Sequence, residues 1–305
     1  MSTSITILDG GMSRELMRLG APFRQPEWSA LALIEAPAFV EQAHRDFLAA
    51  GADVITTNSY AVVPFHIGEE RFASEGEALA SRAGEVARTA ASEVTGRSVQ
   101  VAGSLPPLFG SYRPDLFDPL RAADLLAPLI SGLSPWVDLW LAETLSSTAE
   151  ARAVRAALPD DHRPLWVSFT LDDTGDLEAI ASGDQEPVLR SGESIAAAVS
   201  CVQEIGAQAL LFNCSQAEVM APALSAARRA HPELLLGAYA NAFVPSRKEG
   251  AANEGLSDIR ADLDPEEYAS IVTTWIAAGA TIAGGCCGIG HNHIARLASQ
   301  HRSPE

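Results

Sequence analysis

The sequence predicts an α/β fold, a single-domain (β/α)₈ TIM barrel occupying residues 1–305. Three observations lead there. Eight short apolar runs rich in β-branched residues recur along the chain, each followed by turn residues and then by a longer segment with helical periodicity. Eight strand-then-helix units in about 300 residues suit a closed barrel. No linker, low-complexity run or composition shift divides the chain. An open doubly wound sheet carries fewer strands and a phosphate-type glycine loop after the first, whereas here the first run ends in Asp9-Gly10-Gly11.

In chain order the expected strands are residues 5–8, 53–57, 98–102, 137–142, 165–169, 209–212, 234–239 and 281–283. Between them, residues 37–50, 75–93, 149–157, 194–206, 217–230 and 265–278 carry helix formers on an apolar stripe. Several of these begin near Ser, Asp or Pro, or end in Gly. Two connections are longer than a barrel needs: residues 106–118, with Phe109, Tyr112 and Phe117, and residues 241–262, with Arg247 and Lys248. Both belong at the same mouth, where loops of that length often act as lids.

The composition, 47% hydrophobic and 20% charged, suits a large buried core and argues against disorder. A net charge of −18 repels nucleic acid and anionic membranes and suits a cationic small molecule. No basic stretch followed by a long apolar one precedes Ile5, and no run reaches the roughly 18 apolar residues of a membrane span. Four cysteines, two of them adjacent, do not form a secreted disulfide framework. A cytoplasmic protein with reduced thiols is therefore expected, with no nucleic-acid or membrane partner; its composition is compatible with a monomer or a homo-oligomer.

Barrel enzymes place their chemistry after the C-terminal ends of the strands. Those positions offer Asp9-Gly10-Gly11, Thr57-Asn58-Ser59-Tyr60, Gly103-Ser104, Glu143-Thr144, Thr170, Asn213-Cys214-Ser215, Asn241 and Cys286-Cys287. Cys214 on strand six and the pair on strand eight lie within reach of one ion inside a small barrel. Zinc (Zn2+) favours thiolate, and three protein thiolates leave its fourth tetrahedral position open, the arrangement of a catalytic site. Two adjacent cysteines could also be core residues or a redox pair, and the glycines around them an anion cradle, though no Lys or Arg follows until Arg296. Gly284, Gly285 and Gly288 would leave room for a metal and its incoming substrate. Cys201 reads as helix packing, and His291 and His293, where the last helix begins, as capping or solvent-facing residues.

Leu8-Asp9-Gly10-Gly11-Met12, Glu143-Thr144, Asn213-Cys214 and Gly284-Gly285-Cys286-Cys287-Gly288, in this order over nearly the whole chain, resemble the homocysteine S-methyltransferase family of zinc-dependent (β/α)₈ barrels. The resemblance implies that Cys214, Cys286 and Cys287 bind zinc. It also implies that Asp9, Gly10 and Glu143 contact the amino-acid part of homocysteine. Tyr60 resembles a family tyrosine near the metal. The chain departs from the family at Ser13-Arg14, where Gly-Thr is common, and at Tyr239-Ala240-Asn241-Ala242-Phe243, where users of S-methylmethionine often have Tyr-Pro-Asn-Ser-Gly. These departures bear on the methyl donor rather than on the metal.

The implied reaction moves a methyl group from a sulfonium or quaternary ammonium donor, such as S-methylmethionine, S-adenosylmethionine or betaine, to the homocysteine thiolate, giving methionine. A free thiol is only about 3% ionised at pH 7, a cost of roughly 2 kcal/mol that coordination to zinc removes. Four thiolates on one zinc leave a net charge near −2, which keeps the sulfur electron-rich and attracts a cationic donor. Asp9 and Glu143 would pair with the substrate ammonium, and such positioning supplies about 7 to 11 kcal/mol. Phe109, Tyr112, Phe243 or Trp28 could box the donor through cation-π contact, or simply pack. The alternatives are another thiol or selenol acceptor, or a non-catalytic zinc or thiol-binding protein.

Overall fold

The structure is a computed structural model that describes residues 5–245 and 258–301. Its elements run β1 (Thr6–Ile7), α1 (Met12–Leu19), α2 (Ala30–Glu35), α3 (Pro37–Ala50), β2 (Val54–Thr56), α4 (Pro64–Ile67), α5 (Glu69–Ser92), β3 (Gln100–Leu105), α6 (Pro119–Leu133), β4 (Leu139–Leu145), α7 (Thr148–Ala157), β5 (Leu165–Phe169), α8 (Leu177–Ser182), α9 (Ile195–Glu204), β6 (Ala209–Asn213), α10 (Met220–Ala230), β7 (Leu235–Tyr239), α11 (Pro265–Ala277), β8 (Ile282–Ala283) and α12 (His291–His301). Every strand pairing is parallel, in the order β1-β8-β7-β6-β5-β4-β3-β2. The ring closes through a parallel bridge between Leu8 and Val54, flanked by Asp53 N–H to the Ile7 carbonyl at 2.7 Å and Asp9 N–H to the Val54 carbonyl at 3.0 Å. This is the (β/α)₈ barrel that the strand-helix rhythm predicts.

Local chemistry explains the helix limits. Proline occupies the first turn of α3 and Gly51 ends it in a left-handed conformation. Ser147 and Glu150 form a capping box at the start of α7, and Asp264 caps α11 ahead of Pro265. Helix α6, outside the predicted set, starts with the same device: the Asp118 carboxylate accepts from Leu120 N–H and Pro119 follows. α5 begins six residues before the expected boundary, its first turn holding Glu69 and Glu70 against the positive end of the helix dipole.

Strand alternation sorts the core into two shells. Leu8, Val54, Ala102, Leu139, Leu141, Trp166, Ala209, Leu211 and Ile282 fill the barrel interior. Ile7, Ile55, Val101, Trp140, Val167, Leu210 and Leu236 face the helices. One step further along the same inward parity come Thr56, Ser104, Glu143, Ser168 and Asn213, so a polar layer tops the apolar interior at the C-terminal mouth. No described helix is long and apolar enough to cross a membrane.

The connection 106–118 is packed. Phe109 and Phe117 meet edge-on at 6.0 Å between ring centres, and the Arg121 guanidinium lies 5.8 Å over Phe109. Phe109 therefore anchors the loop and is not part of a donor box. The ends of the 241–262 connection join through an antiparallel bridge between Phe243 and Ile259; Arg247 and Lys248 lie outside the described residues.

Candidate metal centre and barrel mouth

Cys214 follows β6 and Cys286-Cys287 follow β8, and the end of β7 between them ties both in place. Cys214 N–H donates to the Tyr239 carbonyl at 3.3 Å, Cys286 N–H to the Ala240 carbonyl at 2.9 Å, and Ala242 N–H to the Cys287 carbonyl at 2.8 Å. The three sulfurs consequently lie within 4.8 Å of one another. Two thiolates on one tetrahedral zinc, each bonded at about 2.3 Å, sit about 3.8 Å apart, so the donor set fits such an ion. Against the expectation of reduced thiols, Cys214 and Cys286 are joined as a disulfide, with Cα atoms 5.7 Å apart, while Cys287 is free. The reason is geometric: an approach that lets three sulfurs share an ion also brings two within bonding reach. Cys201 stands outside the triad, buried in α9 against the Thr148 carbonyl at 3.6 Å.

Two carboxylates face the same mouth. Asp9 is buried and accepts from Thr56 N–H at 2.7 Å and from the Thr56 hydroxyl at 3.1 Å. Burial raises its pKa from 3.8 to about 8, against the lowering effect of the Thr56 bonds. Glu143 accepts from the Ser104 hydroxyl and from the Tyr239 hydroxyl at 3.2 Å, and burial raises its pKa as well. Among the described residues, no Lys or Arg lines the cavity between these groups. Among the described residues the two buried carboxylates are held by hydroxyls and a backbone N–H, with no cation beside them in the cavity lining.

The cavity encloses about 110 Å³, and the cysteine triad, both carboxylates, Gly10, Tyr60, Trp28, Tyr112, Tyr239 and Phe243 are among its lining residues. Among the described residues, the non-glycine residues with positive φ are Trp28, Tyr112, Thr144 and Cys214, at 51°, 63°, 60° and 50°. All four line this cavity. Left-handed backbone at side-chain-bearing residues costs free energy and persists only where surrounding contacts enforce it. Trp28 is held by its indole N–H on Ser13 and by edge contact with His66 at 5.8 Å. Tyr112 carries the Arg190 guanidinium 5.0 Å from its ring centre.

Other expected site residues have specific places. Tyr60 lines the cavity with its hydroxyl 2.7 Å from that of Ser111, and burial raises its pKa. The motif glycines serve chain packing and not clearance for a metal. A Cβ on Gly284 would meet the Leu8 side chain at 2.5 Å, and one on Gly11 the Cys286 carbonyl at 2.4 Å. His293 accepts from Gly290 N–H at 3.2 Å and faces the Leu263 carbonyl at 3.0 Å, while His291 Nδ1 lies 2.9 Å from a Glu15 carboxylate oxygen. Both cap or brace α12, as their position suggested. Sequence reasoning offers Ser104 as a mouth residue without a role and misses Thr56 and Tyr239; these three hold the two carboxylates. Their inward parity at strand ends was the available signal.

The family model of homocysteine S-methyltransferase matches residues 6–301. A selenocysteine methyltransferase of Astragalus bisulcatus is 28% identical, over 92% of this chain and 88% of its own length. Homocysteine S-methyltransferase 2 of Arabidopsis thaliana is 26% identical over the same shares. Among solved structures, the homocysteine methyltransferase MmuM of Escherichia coli in a metallated form superposes with a TM-score of 0.77 at 28% identity, covering 97% of this chain and 96% of that one. Its oxidized form gives the same TM-score at 26% identity.

Proposed function

Since the match spans nearly its whole length, this chain belongs to the homocysteine S-methyltransferase family and is a methyltransferase, and we propose that it methylates homocysteine from a cationic donor at a zinc held by Cys214, Cys286 and Cys287. The supporting observation is the convergence of three cysteine sulfurs within 4.8 Å beside two buried carboxylates that have no cationic partner among the described cavity residues. Zinc, when bound there by the reduced thiolates, keeps a substrate sulfur deprotonated at neutral pH.

Every other part of the work falls to the chain. Asp9, oriented by Thr56, and Glu143, oriented by Ser104 and Tyr239, take the substrate ammonium and aim its thiolate. That ammonium restores the ionised state that burial disfavours in both carboxylates. Trp28, Tyr112 and Phe243 line the remaining wall and receive the sulfonium or quaternary ammonium donor on their ring faces. The thiolate lone pair forms the new S–CH₃ bond as the CH₃–S⁺ or CH₃–N⁺ bond breaks. The leaving group departs as a neutral thioether or tertiary amine, so thiolate and donor charges cancel and no proton moves in that step.

The test is zinc content and methionine formation with a panel of S-methylmethionine, S-adenosylmethionine and betaine, for reduced wild type and Cys286→Ser. The expected result is one zinc per chain and activity with one sulfonium or ammonium donor, both lost in the variant. Zinc-free protein, or undiminished activity in the variant, overturns the reading. A selenol acceptor is a second reading, supported by the likeness to a selenocysteine methyltransferase, and competition between selenocysteine and homocysteine separates the two.

A further inference from the structure

Strand β4 breaks its own alternation at the site. Leu139 and Leu141 point into the barrel, Trp140 and Ala142 outward, and Glu143 inward in turn, yet Leu145 again packs outward. The register explains this: Ala142 pairs with Val167 and Leu145 with Phe169, so three steps on β4 oppose two on β5 and one residue is extra. That residue is Thr144, at φ 60°, which joins Glu143 in lining the mouth. Its conformation is clasped from β6. Thr144 N–H donates to Asn213 Oδ1 at 3.0 Å, and Asn213 Nδ2 donates to Thr144 Oγ1 at 2.8 Å. Ser168 on β5 donates to the same Asn213 oxygen at 2.7 Å, which fixes the amide's orientation. All these side chains are buried. The residue after Asn213 is Cys214, itself at φ 50°.

We propose that Asn213 is a positioning residue that sets both halves of the site with one side chain: its clasp on Thr144 holds the bulge that aims Glu143, and its fixed orientation sets the turn that presents Cys214. This rests on the reading that Glu143 binds the substrate ammonium and Cys214 the metal. The Asn-Cys and Glu-Thr pairs, far apart in the chain, are then one device, in which the first residue of one pair holds the second residue of the other. A threonine at positive φ needs the clasp, whereas a glycine adopts that conformation unaided. The two effects of Asn213 are therefore separable.

The experiment is a double-mutant cycle on reduced, zinc-loaded protein with Asn213→Ala, Thr144→Gly and the pair together. It reads homocysteine KM, donor KM, and metal affinity by competition with a chromogenic chelator. Asn213→Ala is expected to raise homocysteine KM tenfold or more and to weaken metal binding, with donor KM within about twofold. In the Thr144→Gly background, Asn213→Ala should change homocysteine KM by less than threefold while the loss of metal affinity persists. Should Asn213→Ala fail to fold, Asn213→Asp, which keeps the Oδ1 acceptor and puts an acceptor oxygen in place of the Nδ2 donor, is expected to raise homocysteine KM by several-fold. Unchanged KM and metal affinity in Asn213→Ala, or in Asn213→Asp where that variant stands in for it, overturns the proposal. So does a KM effect of equal size in both backgrounds, or an equal rise in donor KM. A wild type that neither binds zinc nor uses homocysteine overturns the functional reading instead.

Discussion

Gly11→Ala should weaken metal binding while leaving most of the fold. Gly11 is the N-cap of α1 at φ −73° and ψ 107°, a conformation open to any residue, so alanine meets no backbone penalty there. The obstacle is the cysteine loop. A Cβ would lie 2.4 Å from the Cys286 carbonyl oxygen and 2.9 Å from the Cys287 Cα. Bringing the first contact out to 3.0 Å moves the Cys286-Cys287 backbone, or α1, by about 0.6 Å, several times the roughly 0.2 Å tolerance of metal–ligand distances. Overpacking of this kind costs about 1–3 kcal/mol of stability, and a disturbed ligand support lowers metal affinity about 10- to 100-fold. Gly20→Ala, at the other end of α1, is the control. Gly20 has φ 79° and nothing within 4 Å of an added Cβ, so it should lose about 1–2 kcal/mol with metal affinity intact. Thermal unfolding of the metal-free proteins and zinc competition with a chromogenic chelator measure both quantities. If Gly11→Ala bound zinc like Gly20→Ala, the claim that the Asp-Gly-Gly motif seats the cysteine loop would be refuted.

Glu143→Gln removes a charge-assisted bond to the substrate ammonium worth about 1.5–3 kcal/mol, so homocysteine KM should rise about 10- to 150-fold with zinc content unchanged; an unaltered KM would remove Glu143 from the substrate site. Tyr112→Ala deletes a cation-π wall worth about 0.5–2 kcal/mol and should raise donor KM about 2- to 30-fold without affecting homocysteine KM. Burial holds Asp9 at about 8 in the folded chain against 3.8 ordinarily, so folding retains a proton that unfolding releases. That contribution is full below pH about 4 and is lost as pH rises toward about 8. Urea unfolding of reduced, metal-free protein at pH 5 and pH 8 should show wild type losing stability relative to Asp9→Asn at the higher pH, and a pH-independent difference would contradict the assignment. Reduction before metal loading should be obligatory, because the Cys214–Cys286 bond withholds two of three ligands; equal zinc uptake with and without reductant would dismiss the triad as the site.

Much of this molecule could be read from local pattern. Hydrophobic runs of strand length marked all eight strands, and cysteine is rare enough here that three at strand ends stood out. Helix α6 lies just past the long loop that ends at Asp118 and is absent from the expected set, although Asp118-Pro119 is a start signal. The packing role of Gly284 is invisible in the sequence, because its distance along the chain from Leu8 hides the contact that constrains it.

The order of strands and helices, the inward parity of each strand and the residues delivered to the mouth follow from the chain's own periodicity, because alternation and helical pitch are local properties. Which of those residues touch does not. Asn213 and Thr144 are 69 residues apart, and Glu143 and Tyr239 are 96 apart. Their meeting depends on the stagger of neighbouring strands and on a single extra residue in β4. Barrel closure turns three cysteines into a cluster and brings two buried carboxylates to the same cavity, where four side-chain-bearing residues adopt left-handed backbone. Those outcomes are set by distances across the ring, and no local pattern encodes them.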